Sequence, residues 1–295
     1  MVLLFFLATG RSGFAQSDSV TKAVLFLQDQ TLPAETRVKR ALETINKAIA
    51  DPKTAKTPYA WYVRGFVYKE WYKTFELQNK KSKARLDAVS YLKKAIELDA
   101  AKEYAVATQQ TLKYLASMFY NDASALLDAA NYSSAIENYE KYKECMLIAE
   151  PNFNLKIREI EFKNALATVY EKIFRSNIKT NIQFFEKTED LYKQVLSLDT
   201  NNWTGNYNLA MLYYNYGVDI INAMDVSSDI VVIENIQEET KALFKKGLPY
   251  ALKAYRINPK KKEVLIALQG IYFSLYEEKK SNEYKLELER LEKGK

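Results

Sequence analysis

Small and apolar residues recur along this chain at intervals of four and three positions, which is the spacing of one face of an α-helix. In the clearest instance, Ala88, Leu92 and Ala95 share such a face, and charged residues lie between them. The same spacing returns at Ala41, Ile45 and Ala48; at Ala135, Tyr139 and Tyr142; at Thr188, Tyr192 and Val195; and at Gly247, Ala251 and Ala254. The pattern predicts a succession of amphipathic helices.

The composition favours an all-α fold class. The 295 residues include only eight glycines and six prolines, less than half of average usage. So few breakers cannot supply the turns of a sandwich, a barrel or a doubly wound sheet, whereas long helices need few of them. Hydrophobic residues make up 48% of the chain, which is enough for a large buried core.

A longer pattern resembles the tetratricopeptide family. Trp61, Gly65 and Tyr68 precede Ala88 and Ala95, in the order in which that family marks the first and second helices of its repeat. Further positions matched to the repeat are Leu92, Ala135, Leu209, Ala210, Gly247, Ala254 and Pro259. The resemblance covers almost all of residues 36–292. It implies an all-α, right-handed superhelical solenoid of about five antiparallel helix hairpins.

The repeat is longer than the 34 residues usual in that family. The small residues of successive second helices, from Ala41 through Ala88, Ala135 and Thr188 to Gly247, are 47, 47, 53 and 59 positions apart. Because the additional residues are mostly helix formers, we expect elongated hairpins rather than looped-out insertions, except in the last full repeat.

Three segments follow from this interpretation: a signal peptide at 1–15, an N-terminal helical segment at 16–35 and the solenoid at 36–295. No Gly-, Ser- or Pro-rich linker interrupts the solenoid. The predicted repeats lie near 36–53, 58–100, 105–151, 157–200, 203–259 and 262–293. In the last of these, Tyr284, Leu288 and Leu291 form the apolar stripe of a C-terminal capping helix.

The signal peptide rests on the apolar run at residues 2–8 and on the small residues Gly13 and Ala15. The alternative is a buried apolar N-terminal segment. An export signal predicts a protein of the cell envelope, in the periplasm of a Gram-negative bacterium. No other stretch reaches eighteen apolar residues, so we expect no integral membrane segment in the mature form.

Glycine and alanine within the repeats predict close helix crossings, with Gly65 against Ala88 as the clearest case. Pro52, Pro151 and Pro259 should lie just past helices that they help to end. Pro249 should start or kink a helix.

The first helices of tetratricopeptide proteins line a concave groove, and the resemblance implies such a groove here. The positions that would line it are Tyr59, Tyr62, Phe66, Lys69, Tyr120, Tyr207, Met211, Tyr214 and Asn215. Aromatic side chains with one polar end suit the binding of a protein or peptide. The alternative is that several of them are buried core residues of elongated helices.

Some tetratricopeptide proteins clamp a C-terminal carboxylate with Lys and Asn. Tyr62 and Phe66 stand where such a clamp needs those residues. We therefore do not expect this specialised activity.

Two basic runs, Lys80–Arg85 and Lys260–Lys262, raise the question of a nucleic-acid or anionic-lipid partner. The predicted fold separates them, and the simpler interpretation is solvated hairpin tips. We expect no nucleic-acid partner. A partner within a membrane-associated complex is compatible with export.

The segment Asn222–Glu239 is the least regular of the chain, because acidic residues surround the β-branched run Ile230–Ile233. One interpretation is an element that covers the groove or contacts a partner. The other is an extended helical tip whose valines pack on the next repeat.

The sequence gives little indication of a catalytic site. The chain has no His and a single Cys, Cys145, so that Ser-His and Cys-His pairs are absent and most zinc sites are excluded. Cys145 is most simply a small core residue. No phosphate-binding glycine loop occurs either, and we expect no cofactor and no metal.

The sequence therefore predicts a non-catalytic scaffold or adaptor that binds a protein or peptide in a concave groove, within a cell-envelope assembly. One alternative is an all-α hydrolase that uses a carboxylate pair in the groove. Another is a self-associating structural spacer.

Overall fold

The computed structural model describes residues 18–225 and 229–294. Within these residues every regular element is helical and no strand occurs, so the all-α fold class is confirmed. The α-helices described there are α1 Asp18–Gln28, α2 Ala34–Ile49, α3 Pro58–Phe75, α4 Lys83–Leu98, α5 Ala105–Ala125, α6 Tyr132–Ala149, α7 Lys156–Ser176, α8 Ile182–Leu198, α9 Trp203–Asn222, α10 Ile230–Ile257, α11 Lys262–Ser274 and α12 Glu278–Lys293. A single 3₁₀ turn, Thr54–Lys56, precedes α3.

The predicted signal peptide lies outside the described residues. Across 18–225 and 229–294, no helix is both long and apolar enough to cross a bilayer.

The chain divides into two compact units. The N-terminal unit holds residues 18–125 and 135–153 of the described chain, and the C-terminal unit holds 126–134, 154–225 and 229–294. In each unit, helices that follow one another along the chain pack together, for example α3 with α4 and α9 with α10. This succession of packed helices is the architecture that the periodic pattern predicts, while its superhelical sense and its division into repeats stay predictions.

Side-chain caps begin several of these helices. The Ser82 hydroxyl accepts a hydrogen bond from the Arg85 backbone N–H at 3.0 Å, ahead of α4. Asn202 accepts one from the Gly205 N–H at 2.8 Å, at the start of α9. Each cap satisfies a backbone donor that the first turn of a helix leaves unpaired.

The close crossing of α3 and α4 is confirmed. A methyl group built on Gly65 would stand 2.7 Å from Cγ of Leu92 and 3.2 Å from the carbonyl oxygen of Ala88. In the C-terminal unit, a methyl group on Gly247 would stand 3.0 Å from the carbonyl oxygen of Ala210. The two hairpins therefore depend on glycine at the point where their backbones approach.

The residues matched to the repeat occupy the places expected of packing residues. Ala88, Ala95, Ala135, Ala210 and Ala254 are almost completely buried. Cys145 is buried as well, as predicted, and burial raises the pKa of its thiol to about 12. Other matched positions are Gly65, Leu92, Leu209 and Gly247, which are buried; Trp61 and Tyr68, which are half-buried; and Pro259, which is exposed.

One expectation about the last full repeat was wrong. We expected a looped-out insertion, whereas α10 already begins at Ile230 and most of the extra length is helix. Pro249 lies inside α10, so it does not start a helix, and a kink at this residue stays a prediction. Pro52, Pro151 and Pro259 follow the ends of α2, α6 and α10, as predicted.

Arg85 contradicts the expectation that its basic run is a solvated tip. Its side chain is 1% exposed. The guanidinium donates to Asp122 Oδ2 at 2.6 Å, to Asn138 Oδ1 at 3.1 Å and to the Tyr72 hydroxyl at 3.2 Å. It also lies 4.0 Å from the centroid of the Phe119 ring. Arg85 thus joins α3, α4, α5 and α6 inside the N-terminal unit.

Candidate functional site

The C-terminal unit carries a row of partly exposed side chains along α9. Tyr207, Met211, Tyr214 and Asn215 lie at positions i, i+4, i+7 and i+8, which share one face of a helix. All four are half-buried. The structure therefore brings these four nominated residues together on one surface, which we call the α9 face.

The α9 face lies between α7 and α11. On the α7 side, Asn215 is hydrogen-bonded to the Glu171 carboxylate. On the α11 side, a methyl group on Gly270 would stand 2.7 Å from the Tyr214 hydroxyl. The Tyr214 ring also packs 5.6 Å from that of Phe244 on α10. Tyr214 therefore packs on α10 through its ring and approaches α11 with its hydroxyl group.

One end of the α9 face is an aromatic stack. The rings of Trp203 and Tyr207 lie 4.9 Å apart and nearly parallel, at 8°. The ammonium group of Lys261 stands 5.3 Å from the Trp203 ring, close enough for a cation–π interaction. Burial, together with the carboxylates of Glu263 and Glu171, raises the pKa of Tyr207.

A polar cluster that was not predicted from the sequence borders the same face. It consists of Glu171 and Arg175 on α7 with Asn215 and Asp219 on α9. Arg175 donates to Asp219 Oδ1 at 3.3 Å. Burial raises the pKa of Glu171, the Asp219 charge raises it further, and Arg175 and Asn215 oppose the shift. The spacing of Glu171 and Arg175, four positions apart on a helix, is the signal that could have drawn attention to the cluster.

In the N-terminal unit, Tyr62 belongs to the core and not to an accessible surface. It is 5% exposed, and its ring stacks on that of Tyr104 with centroids 6.2 Å apart. Burial raises the pKa of Tyr62 to about 12, with a smaller contribution from Tyr59. The groove assignment of Tyr62 was therefore wrong, because Tyr104, just before α5, stacks on its ring and Thr111 on α5 is hydrogen-bonded to its hydroxyl group.

Lys69 is also buried. Its ammonium group is paired with Glu70 and lies 3.8 Å from the Phe66 ring and 5.4 Å from the Tyr114 ring. Burial lowers the pKa of Lys69, and the Glu70 charge opposes that shift. This lysine stabilises the packing of α3 on α5, so it is not a groove contact either.

Three nominated residues of the N-terminal unit remain half-buried: Tyr59, Phe66 and Tyr120. The Tyr59 ring lies 5.1 Å from that of Tyr104. The Tyr120 ring lies 5.0 Å from that of Tyr142, on α6. A binding role for these three stays a prediction.

The N-terminal unit also contains a cavity that was not predicted from the sequence. Its volume is about 530 Å³, and its walls come from α3, α4 and α6. Trp61 and Tyr91 line it, together with Glu144, which is held by Lys93 at 2.9 Å and Lys141 at 2.8 Å. Hydrogen bonds from the two lysines lower the pKa of Glu144. The lysines and this carboxylate are thus engaged with one another.

The basic runs are only partly solvated. Lys81, Lys83 and Lys260 are exposed, as expected. Lys262 pairs with Glu292 at 2.8 Å, and Lys261 lies over Trp203 as described above. With the buried Arg85, three of the seven basic residues in these runs therefore make specific side-chain contacts.

Comparison with known proteins returned no matching family model and no matching curated protein. Two solved structures of an IFIT1 monomeric mutant are similar to this chain, one with Gppp-AAAA at 12% sequence identity and one with m7Gppp-AAAA at 14%. Each has a TM-score of 0.35 and covers 92% of this chain and 49% of its own. The chain thus spans about half the length of these proteins.

Proposed function

We propose that this chain is a non-catalytic scaffold that binds a protein or peptide along the α9 face. The observation that carries the proposal is the row Tyr207, Met211, Tyr214 and Asn215, which stays half-buried between α7 and α11. Core side chains of a helical protein are normally covered completely, and solvent-facing positions are normally charged. Four adjacent uncharged positions of intermediate exposure are typical of a binding surface.

The chemistry of the α9 face suits a peptide ligand. The stacked Trp203 and Tyr207 offer a rigid aromatic surface that loses little conformational entropy on binding. The Asn215 amide and the tyrosine hydroxyl groups can exchange hydrogen bonds with a peptide backbone. Truncation of one central aromatic anchor typically weakens binding by 2 kcal/mol or more, which is roughly 30-fold.

The wider setting of the proposal rests on the sequence. The tetratricopeptide-like repeats and the export signal support a scaffold of the Gram-negative periplasm, within an envelope assembly. The partner is a protein or peptide and not a nucleic acid.

A photo-crosslinking residue introduced at Met211 tests the proposal in living cells. We expect a discrete protein adduct at Met211, and loss of the adduct when Tyr207→Ala removes the aromatic anchor beside it. The matched control is the same crosslinker at Ile182, an exposed position at the start of α8. Tyr207→Phe keeps the ring and should keep the adduct.

Equal adducts at Met211 and Ile182 would contradict the assignment of the α9 face. So would an adduct that persists unchanged in Tyr207→Ala with a native circular dichroism spectrum.

Glu171 and Asp219 are the observation that favours the alternative hydrolase. They are two carboxylates on facing first helices, and the charge of one affects the pKa of the other. Asn215 and Arg175 already engage them, which favours a structural role. Hydrolysis of a glycan or peptide that is abolished in both Glu171→Gln and Asp219→Asn would establish the enzyme instead.

A further inference from the structure

The first turns of α10 extend past the end of α9, the helix on which α10 packs. Helix α10 has 28 residues and α9 has 20. Gly217 meets the Phe244 ring, and Gly247 meets Ala210, so the two helices run antiparallel. In this register Asn222, the last residue of α9, lies level with a residue near position 238 of α10. The eight preceding residues of α10 extend about 12 Å past the end of α9, at 1.5 Å per residue.

This projection exposes large aliphatic side chains. Ile230 is 66% exposed, Val231 59% and Val232 43%. We had considered that these valines pack on the next repeat, and the structure contradicts that interpretation. We call residues 229–239 the α10 tip.

The apolar stripe of α10 continues without interruption into the tip. Thr240, Phe244 and Gly247 form its buried part, and α9 covers them. Ile236 and Ile233, one and two turns earlier on the same face, are half-buried. Helix α9 therefore covers the stripe over most of its length and leaves only the part in the tip uncovered. The side chains in the tip therefore have the spacing that another helix would fit.

The tip also has its own charge. Asp229, Glu234, Glu238 and Glu239 carry four negative charges, and residues 229–239 contain no Lys or Arg, in a chain whose net charge is +6. Asp229 caps α10 by accepting from the backbone N–H groups of Val231 at 2.8 Å and Val232 at 3.2 Å. Such a surface attracts a basic partner and repels an acidic one, anionic lipid included.

We propose that the α10 tip docks a basic amphipathic helix of a partner protein, which packs on the stripe at Ile230, Ile233 and Ile236 as α9 packs on the rest of α10. This surface is separate from the α9 face and does not depend on the function proposed for it. The apolar side of the docked helix covers Ile230, Ile233 and Ile236, which share one face of α10, and its Lys and Arg side chains meet Glu234, Glu238 and Glu239.

The probe is a labelled synthetic peptide of 18 residues with Leu on one helical face and Lys on the other. The comparison peptide has Glu at every Lys position. We expect the full chain to bind the Lys peptide at least tenfold more tightly than the Glu peptide, as measured by fluorescence anisotropy. Added salt should weaken the Lys complex.

Two variants locate the site. Ile230→Ser combined with Ile233→Ser should weaken Lys-peptide binding at least tenfold. Glu234→Gln, Glu238→Gln and Glu239→Gln together should remove most of the salt dependence. The matched control is Ile157→Ser combined with Ile266→Ser, two exposed aliphatic positions elsewhere in the same unit, which should change the affinity less than twofold.

The changed side chains are mostly exposed, so all variants should melt within a few degrees of the parent chain, and circular dichroism checks this. The proposal is overturned if the tip and control variants bind the Lys peptide equally, if the Lys and Glu peptides bind equally, or if the Lys peptide does not bind at all.

Discussion

Arg85 Nη1 and Asp122 Oδ2 lie 2.6 Å apart inside the N-terminal unit and link α4 to α5. Water cannot solvate the Arg85 charge, because the Arg85 side chain is 1% exposed and that of Asp122 is 16% exposed. The Tyr72 hydroxyl, the Asn138 amide oxygen and the Lys80 carbonyl oxygen also accept hydrogen bonds from the two terminal nitrogens of the guanidinium. A buried charge is tolerated when it is paired and further hydrogen bonds replace those to water.

Asp122→Ala should destabilise the protein strongly. The substitution leaves the Arg85 charge buried without its counter-ion, which costs about 3–5 kcal/mol. Urea unfolding followed by circular dichroism measures the loss. The control is Glu97→Ala, which breaks the exposed pair with Lys94 and should cost no more than about 0.5 kcal/mol. Similar losses for the two variants would show that the buried network does not stabilise the unit.

Gly247→Ala should destabilise the C-terminal unit by about 1–3 kcal/mol. The new methyl group would stand 3.0 Å from the Ala210 carbonyl oxygen, and only a separation of α9 and α10 can relieve that contact. The helical preference of Ala, worth about 1 kcal/mol, offsets part of the loss. Thermal unfolding measures the net effect.

Gly270→Ala is the matched control for this crossing. Its nearest neighbour is the hydroxyl end of Tyr214, at 2.7 Å, which can swing aside. We expect a smaller loss than for Gly247→Ala, and the reverse order would refute the backbone-contact explanation.

The raised pKa of Tyr62 should make the folded protein less stable as the pH rises above 10. This pKa is about 12 in the folded chain and near 10 in the unfolded chain. Between these values the unfolded chain has released the proton and the folded chain still holds it. Stability therefore falls as the pH rises, by up to about 3 kcal/mol for this residue. Unfolding midpoints at pH 9 and pH 11.5 measure the loss.

Tyr62→Phe keeps the ring and removes the titration, so its stability should fall less over the same interval. An absorbance titration of the folded parent chain should also show several tyrosines that ionise late, among them Tyr62, Tyr192 and Tyr255, and Tyr62→Phe should show one fewer. An unchanged alkaline loss of stability in Tyr62→Phe would be inconsistent with this assignment.

The free energy of unfolding of the Glu171→Gln variant should rise relative to that of the parent chain as the pH rises. The pKa of Glu171 is raised above its ordinary value of 4.5, so its carboxyl group contributes stability in acid that is lost as the pH rises through the folded pKa. Glutamine keeps an acceptor for Asn215 and does not titrate. Unfolding free energies of both proteins at pH 4 and pH 7.5 provide the comparison.

The control for this pair of measurements is Glu186→Gln, an exposed position on α8. This substitution at the surface should change the free energy of unfolding by no more than about 0.5 kcal/mol. A difference between Glu171→Gln and the parent chain that does not change with pH would contradict a raised pKa at Glu171.

Local and repeated features were predictable from the amino-acid order. The helical spacing of Ala88, Leu92 and Ala95, the scarcity of breakers and the glycine at position 65 together indicate an all-helical chain with close crossings, because helix periodicity and backbone clearance depend on residues near one another in sequence. The α9 face was predictable for a related reason, since Tyr207, Met211, Tyr214 and Asn215 lie on one helix and its periodicity puts them side by side.

Burial and pairing depended on the tertiary structure. Lys81 and Arg85 stand in the same basic run, yet one is exposed and the other is buried against Asp122 and Asn138, 37 and 53 positions away. Tyr62 and Tyr207 hold like positions in the repeat pattern, yet only Tyr62 is buried. Which side of a helix a neighbour covers, and where that neighbour ends, depends on the packing of distant segments. Sequence periodicity therefore determined the helices and their faces, and only their assembly decided which charges, rings and aliphatic residues remain accessible.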